Sequence, residues 1–488
     1  MVRAETQFTF KLKGQEGVAT TPTSSDVISL REEPSYTPNV TFSADSTAPG
    51  QQAKNRTVAG RAEASATGST WLIGSRAPAV LPSETPAPPV DSLLRAGGMA
   101  RANLDYLYVS TGSATGTFVR GDSITWDGGG TGTVVNFAIP RSGNSLLVIN
   151  TADVCQANDT FTCAATGVTQ VATAAGVRRR GYLYTPTSRS TVLITATHAN
   201  WTGATPSVGD LLLRTTGSAT ITALTGWEAR DGRIVAVSGS GTTRVFEVEV
   251  HSSEGFAVGH AVSYLAVSTG VTYQAGGTAP VITAIDLGSA PPGDATMRTP
   301  GIVDTITDAR LTWGLQGQAG GEVALTFELR GSLNRPTVGE HIAGATYVQA
   351  SDAPRLELAA VTWDGFPFAG QTLEYTHQGE LSARIDYHRV NGVGGVRRSG
   401  RSPQITCDPV EPSPAIYSMV GKMLDSTNIV FRAQIGSAAG NLFILEIPAG
   451  QIIAASPGAR DGERVSNVTL AARALSGSAD NDVRLYVL

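Results

Sequence analysis

Asp364, Glu374 and Glu380 lie close in the chain to Trp363, Phe366 and Tyr375. Carboxylates among aromatic rings suit glycoside cleavage, where one protonates the leaving oxygen and the other attacks or activates water. That chemistry needs a fixed distance between the two carboxyl groups, which chain spacing does not set. The six histidines, His198, His251, His260, His341, His377 and His388, are scattered, and no pair has the spacing of two metal ligands. They are expected on the surface or as hydrogen-bonded core residues. Ser, His and Asp are present without a Gly-x-Ser-x-Gly elbow, and no phosphate loop or dinucleotide fingerprint occurs.

Weaker patterns also read as structure. Asp122 and Asp127 flank a turn ending in Gly128-Gly129-Gly130, and Asp480-Asn481-Asp482 looks calcium-like. Both offer too few oxygens at regular offsets for a calcium loop, so both are expected to supply turn residues. Arg120-Gly121-Asp122 spells an adhesion tripeptide that arises readily in a Gly/Asp-rich hairpin. The glycosylation sequons at Asn39, Asn55, Asn158, Asn200 and Asn467 follow from threonine richness. The expectation is a protein without catalytic, cofactor or metal site, and not an enzyme.

The elements that must carry these residues are short strands. The chain has 488 residues, 55 of them glycine, and only 16% charged. Such a composition, rich also in Thr, Ser, Ala and Val, suits strands joined by tight turns, in two to four domains. A net charge of -5 argues against gripping a phosphate backbone. Cys155, Cys163 and Cys407 lack C-x-x-C spacing. Cys155 and Cys163 could face each other across a hairpin, with buried thiols favoured over a bridge. The N-terminus shows no apolar leader, and no run approaches the about 18 apolar residues of a membrane helix. The chain is expected to be made in the cytoplasm and to have no membrane partner.

Val323, Leu325, Phe327 and Leu329 alternate with Ala324, Thr326, Glu328 and Arg330, which predicts a sheet with one wet face. Phe8, Phe10 and Leu12 alternate with Thr9, Lys11 and Lys13 in a first strand; 26–30 forms a second, and Arg244 to Val250 another. Residues 43–61 are polar and aperiodic, a long loop carrying Lys54, Arg56 and Arg61. Pro89 and Gly97 bracket one short helix with Leu93 and Leu94 buried. Residues 413–420 are a second helix candidate. A repeated phrase runs through Phe118–Ile124, Ser207–Leu213 and Phe256–Val262, with a degraded copy at Ala157–Phe161. Such phrases build small β-domains of a few hairpins. Arg178-Arg179-Arg180 falls at an expected seam between two of them.

The order of these features resembles the major tail tube proteins of long-tailed bacteriophages. Phe8 to Thr23 is similar to that family's first strand and connection, with Gly17-Val18-Ala19-Thr20 as an altered turn, and Asp26 to Leu30 to its next strand. Val90-Asp91-Ser92-Leu93-Leu94-Arg95-Ala96-Gly97-Gly98 resembles its "LLRACG" helix, with Gly97 replacing Cys. Tyr182 to Ser188, the hairpin from Thr305 to Gly331, Gly436 to Asn441 with Glu446-Ile447-Pro448, and the ending from Asp480 to Tyr486 follow in the family's order.

The resemblance implies an all-β fold: a twisted β-sandwich or barrel tail-tube domain with one short flanking helix, plus inserted small β-modules. The tube domain would comprise 1–104, 181–189 and 304–488, with inserted modules at 105–180 and 190–303. Subunits would form rings, commonly hexameric, that stack into the channel for genome delivery, and no cofactor is implied. The partners would be other copies of the chain, the tape measure, tail tip and tail terminator proteins, and viral DNA passing non-specifically. The location would be the virion tail, assembled in the host cytoplasm. Asp45, Lys54, Asn55, Arg56 and Arg61, in the counterpart of the family's inter-ring loop, would form the subunit interface. The alternative is a β-modular phage adhesin or carbohydrate-binding virion protein, with the inserts as its working part.

Overall fold

The computed structural model describes residues 6–13, 20–44, 57–75, 87–114, 118, 121–136, 144–149, 153–187, 192–197, 207–208, 210–215, 232–238, 243–250, 261–266, 271–273, 281–286, 291–347, 353–385, 392–436, 440–460, 462–473 and 481–488. The protein is mostly β, built of large antiparallel sheets, with two short α-helices among the described residues.

The alternation at 323–330 folds as predicted except at Ala324, which was expected on the wet face and is buried. Val323, Leu325, Phe327 and Leu329 are buried, while Glu328 is exposed and Thr326 and Arg330 are half-buried. The strand Ala324–Leu333 pairs with Ile302–Gln318 on one side and Thr57–Trp71 on the other. From Ile302–Gln318 the pairing continues through Thr372–Thr376, Gln404–Cys407, Glu463–Ala472, Phe443–Arg460, Ile429–Ile435 and Leu356–Trp363. Bridges from Ala319 and Glu322 to Leu356 and Arg355 return to the start and close the circuit. Trp363, Tyr375, Phe431, Phe443 and Leu470 lie in the core beneath.

Within Gln7–Leu12, residues Gln7 to Phe10 are buried on both faces, because the polar side chains have partners there. Thr9 hydrogen-bonds Thr296 at 2.5 Å, and Lys13, just beyond the strand, meets Asp294 and Asp308. The partner strand Gly293–Thr299 thus pairs with the first strand of the chain. The expected second insert reached 303; the separate sheet that contains it ends at Asp286.

The helix bracketed by Pro89 and Gly97 spans Asp91–Ala96, with Leu93 and Leu94 fully buried. Gly98 follows at φ +91°, a conformation that disfavours any side chain. The second helix spans Met419–Leu424, later than expected from 413–420. Ser418 sets its start: its Oγ accepts from the Gly421 N–H at 3.0 Å, while 413–417 form turns.

Two small barrels carry the repeated phrase. In the first, Met99–Ala114, Ser123–Trp126, Thr131–Asn136, Asn144–Ile149, Thr160–Cys163 and Thr169–Ala172 are six strands in chain order. They pair first to fourth, fourth to third, third to second, second to fifth, fifth to sixth and sixth to first. In the second barrel the six are Val192–Thr197, Leu211–Thr215, Gly232–Ser238, Thr243–Val250, Ala261–Ala266 and Val281–Asp286. Their pairing order is identical, with Val271–Tyr273 added beside the fifth. Exchanging strands one to three with four to six leaves this order unchanged, so each barrel is internally two-fold. The phrase precedes the second and fifth strands in both.

The hydrogen bonds match too. Gly121 N–H donates to Val134 O and Val134 N–H to Asp122 O, each at 2.9 Å; Asn158 and Asp159 make the same pair of bonds with Ala172. In the second barrel Ile234 N–H donates to Asp210 O at 2.8 Å. Asn158 stands at φ +72° where Gly121 stands at +87°, and Asn is among the few residues that enter this region readily. Ile124, Phe161 and Leu212, two positions after each Asp, are buried. The first barrel shares its longest strand with the main sheet. Met99–Ala114 runs unbroken across the expected boundary at 104/105, and Val177–Pro186 across 180/181.

Candidate functional site: a hairpin arm on the main sheet

Residues expected to be one long loop instead contribute to two strands, Ser35–Ala44 and Thr57–Trp71, that pair as a hairpin from Ser35↔Thr67 to Ala44↔Thr57. The expectation of a loop from 43 to 61 is corrected at 43–44 and 57–61, which are strand; 45–56 lie outside the described residues. The inner part of Thr57–Trp71 lacks large apolar residues before Trp71 because it meets a crowded neighbour. Ala64 and Ala66 are buried on one face, and a Cβ on Gly68 would come within 2.8 Å of the Phe327 ring. Phe327 in turn stacks on Phe8 at 5.4 Å. Small residues at every second position, Ala64, Ala66 and Gly68, were the one signal that could have marked this strand.

The inner part of Thr57–Trp71 pairs with Ala324–Leu333 as far as Glu63↔Ser332. Beyond that the hairpin continues alone, from Val40↔Ala62 to Ala44↔Thr57, as a two-stranded arm. Among the described residues Ser35–Ala44 pairs only with Thr57–Trp71, which leaves its outer edge open. Side chains at Thr37, Pro38, Asn39 and Thr41 are exposed.

Glu63 anchors the root. Its carboxylate is buried and receives Arg330 Nε at 2.7 Å and an ion pair from Arg61. Arg330 also donates to Leu381 O, which ties the root to the hairpin Gly379–Ile385 / Val393–Arg401. Thr41 Oγ1 donates to Arg61 O at 3.0 Å beside a register shift between Val40 and Phe42. Of the five residues expected at an interface, Arg61 sits at this root with its guanidinium committed to Glu63. Asp45, Lys54, Asn55 and Arg56 lie outside the described residues.

The carboxylates weighed for glycoside cleavage are placed separately. Asp364 occupies a turn at φ +51° and accepts from Lys422 Nζ at 2.6 Å, Tyr417 Oη at 3.2 Å and the Val430 N–H at 3.0 Å. It locks the helix Met419–Leu424 to the sheet. Glu374 and Glu380 are exposed on different strands, while Trp363 and Tyr375 are wholly buried. Asp127 accepts from Thr160 N–H, a turn role as expected. Asp482 is more than a turn residue: it forms a two-bond ion pair with Arg401 at 2.9 and 3.0 Å. Arg178, Arg179 and Arg180 lie within a strand, and Arg180 pairs with Asp105 at 2.8 Å. Cys155, Cys163 and Cys407 are buried free thiols. His341 Nε2 bonds Arg298 O and His377 is fully buried; His198, His251, His260 and His388 lie outside the described residues.

Among the described residues no group of three or more His, Cys, Asp or Glu could hold a metal ion, and no helix is long and apolar enough to cross a membrane. Comparison with protein-family models and with curated proteins gives no match.

Proposed function

We propose that this chain is a virion structural protein, the major tail tube subunit of a long-tailed phage, which forms stacked rings around the channel for genome delivery. The observation that carries the reading is the arm formed by residues 40–44 and 57–62. An isolated two-stranded hairpin is marginal in water, and an open strand edge is a template for pairing with another chain. An arm rooted on a buried carboxylate and projecting an open edge suits docking on a neighbouring subunit. The resemblance in feature order at both ends of the chain supports the same reading. So does the net charge of -5, because an acidic wall lets DNA slide without adhering. The two barrels would decorate the outside of the tube. The other proposed partners are tape measure, tail tip and tail terminator proteins.

Negative-stain electron microscopy of the purified full chain, dilute and concentrated, tests this. Rings or tubes with an open lumen and external knobs are expected. Monomers at every concentration would overturn it and direct attention to glycan binding by the barrels.

A further inference from the structure

Where the hairpin Gly379–Ile385 / Val393–Arg401 crosses Ile302–Gln318, three buried nitrogens have no hydrogen-bond partner: Trp313 Nε1, His377 Nε2 and Arg398 Nε. Trp313 is 3% exposed and His377 0%. Native proteins leave few such groups unmatched, because each unmatched one carries its full desolvation cost.

The three belong to one small volume. The Trp313 and His377 rings stack, 5.4 Å apart and 18° from parallel. A Cβ on Gly97 would lie 2.5 Å from Trp313 Cδ1, the atom bonded to Nε1. A Cβ on the adjacent Gly98 would lie 1.4 Å from Arg398 Nη1. Arg398 Nη2 donates to Leu311 O at 3.3 Å, two residues from Trp313, and to Ala96 O at 3.0 Å.

Trp313 Nε1 and Arg398 Nε are donors, and His377 Nε2 is one in the tautomer whose Nδ1 accepts a hydrogen bond. Tyr375 Oη lies 2.8 Å from His377 Nδ1. Burial raises the Tyr375 hydroxyl well above its usual range, so it keeps its proton, and in one of the two imidazole tautomers it donates that proton to Nδ1. The imidazole proton then sits on Nε2. Burial, with Arg398 and Arg401 near, holds His377 neutral. Arg401 is matched to Asp482, whereas the hydrogen bonds of Arg398 go to neutral carbonyls. In that tautomer the cluster presents three N–H groups and the uncompensated charge of Arg398.

We propose that Trp313 Nε1, His377 Nε2 and Arg398 Nε form a buried site for a small monovalent anion of the halide class. One negative charge matches one guanidinium, and three neighbouring donors would replace part of a halide's hydration shell. The anion would fasten the hairpin to the main sheet. This inference does not depend on the tail-tube reading.

The test uses the full chain with bromide titrated against gluconate at constant ionic strength. The melting temperature is expected to rise with bromide and to saturate, and bromide-grown crystals to show an anomalous peak within hydrogen-bond distance of the three nitrogens. Trp313→Phe and His377→Phe each keep a ring but remove one donor. Either should weaken the apparent bromide affinity about tenfold, whatever its melting temperature in gluconate. Melting that is indifferent to bromide in the wild type, or unchanged bromide affinity in both variants, would overturn the site. A bromide peak without a saturable melting response would mean an adventitious ion only, and would overturn it equally.

Discussion

Lys13 and Asp294 are 281 positions apart and meet at 2.7 Å, both almost fully buried. Asp308 completes the cluster at 2.8 Å from the same ammonium, and its N–H donates to Asp294 Oδ1 at 3.1 Å. Thr20 adds two further bonds to Asp294 Oδ2. This ion cluster pins the first strand of the chain to Gly293–Thr299 and Ile302–Gln318. Lys13→Met keeps the chain length but leaves two buried carboxylates without their cation. A loss of about 3–5 kcal/mol is expected from urea denaturation.

Gly98 stands at φ +91° with the Arg398 guanidinium where a Cβ would go. Gly98→Ala adds left-handed strain of about 1–2 kcal/mol and displaces Arg398 from the end of the helix Asp91–Ala96. A lowered melting temperature is expected, with the loss larger than for Gly301→Ala. Gly301 has a similar φ of +87° with open space around it.

Asn158 occupies the position of Gly121 in the two-fold of the first barrel. Asn158→Gly should leave stability within about 0.5 kcal/mol, and Asn158→Ala should cost about 1 kcal/mol, because alanine lacks the tolerance of Asn for this conformation. Thermal unfolding of both variants checks the equivalence. Equal losses in the two would refute it.

Stability should fall in acid for two separate reasons. Burial raises the Asp408 carboxyl, but the N–H groups of Thr372 and Gln371 and the Arg460 charge outweigh it and hold it below the usual carboxylate range. A carboxyl depressed on folding stabilises above its unfolded value, and that contribution is lost as pH falls through the folded one. Burial, reinforced by Arg398 and Arg401, holds the His377 imidazole well below its ordinary value. Its contribution is whole above about pH 6.5 and declines below, where the unfolded chain takes up the proton. The urea midpoint is expected to drop between pH 7.5 and 5.5, and His377→Phe to shrink that drop. Asp408→Asn should blunt the further loss below pH 4.

Some of this architecture is written locally. Large apolar residues at every second position announced Ala324–Leu333 and Thr243–Val250, since the pleat sends alternate side chains to opposite faces. Pro89 and Gly97 marked the first helix, and the repeated Gly-Asp phrase marked turns that recur in both barrels. Thr57–Trp71 was invisible, because Ala, Gly, Ser and Thr carry no apolar alternation, and their smallness answers a ring on a neighbouring strand. Nor does local pattern say that Asp482 serves Arg401, that Lys13 serves Asp294, or that Trp313, His377 and Arg398 meet. A side chain's character fixes which face of a strand it prefers. Its partner across hundreds of residues is fixed only when the sheets close, because a buried charge or donor is tolerated only where its complement arrives.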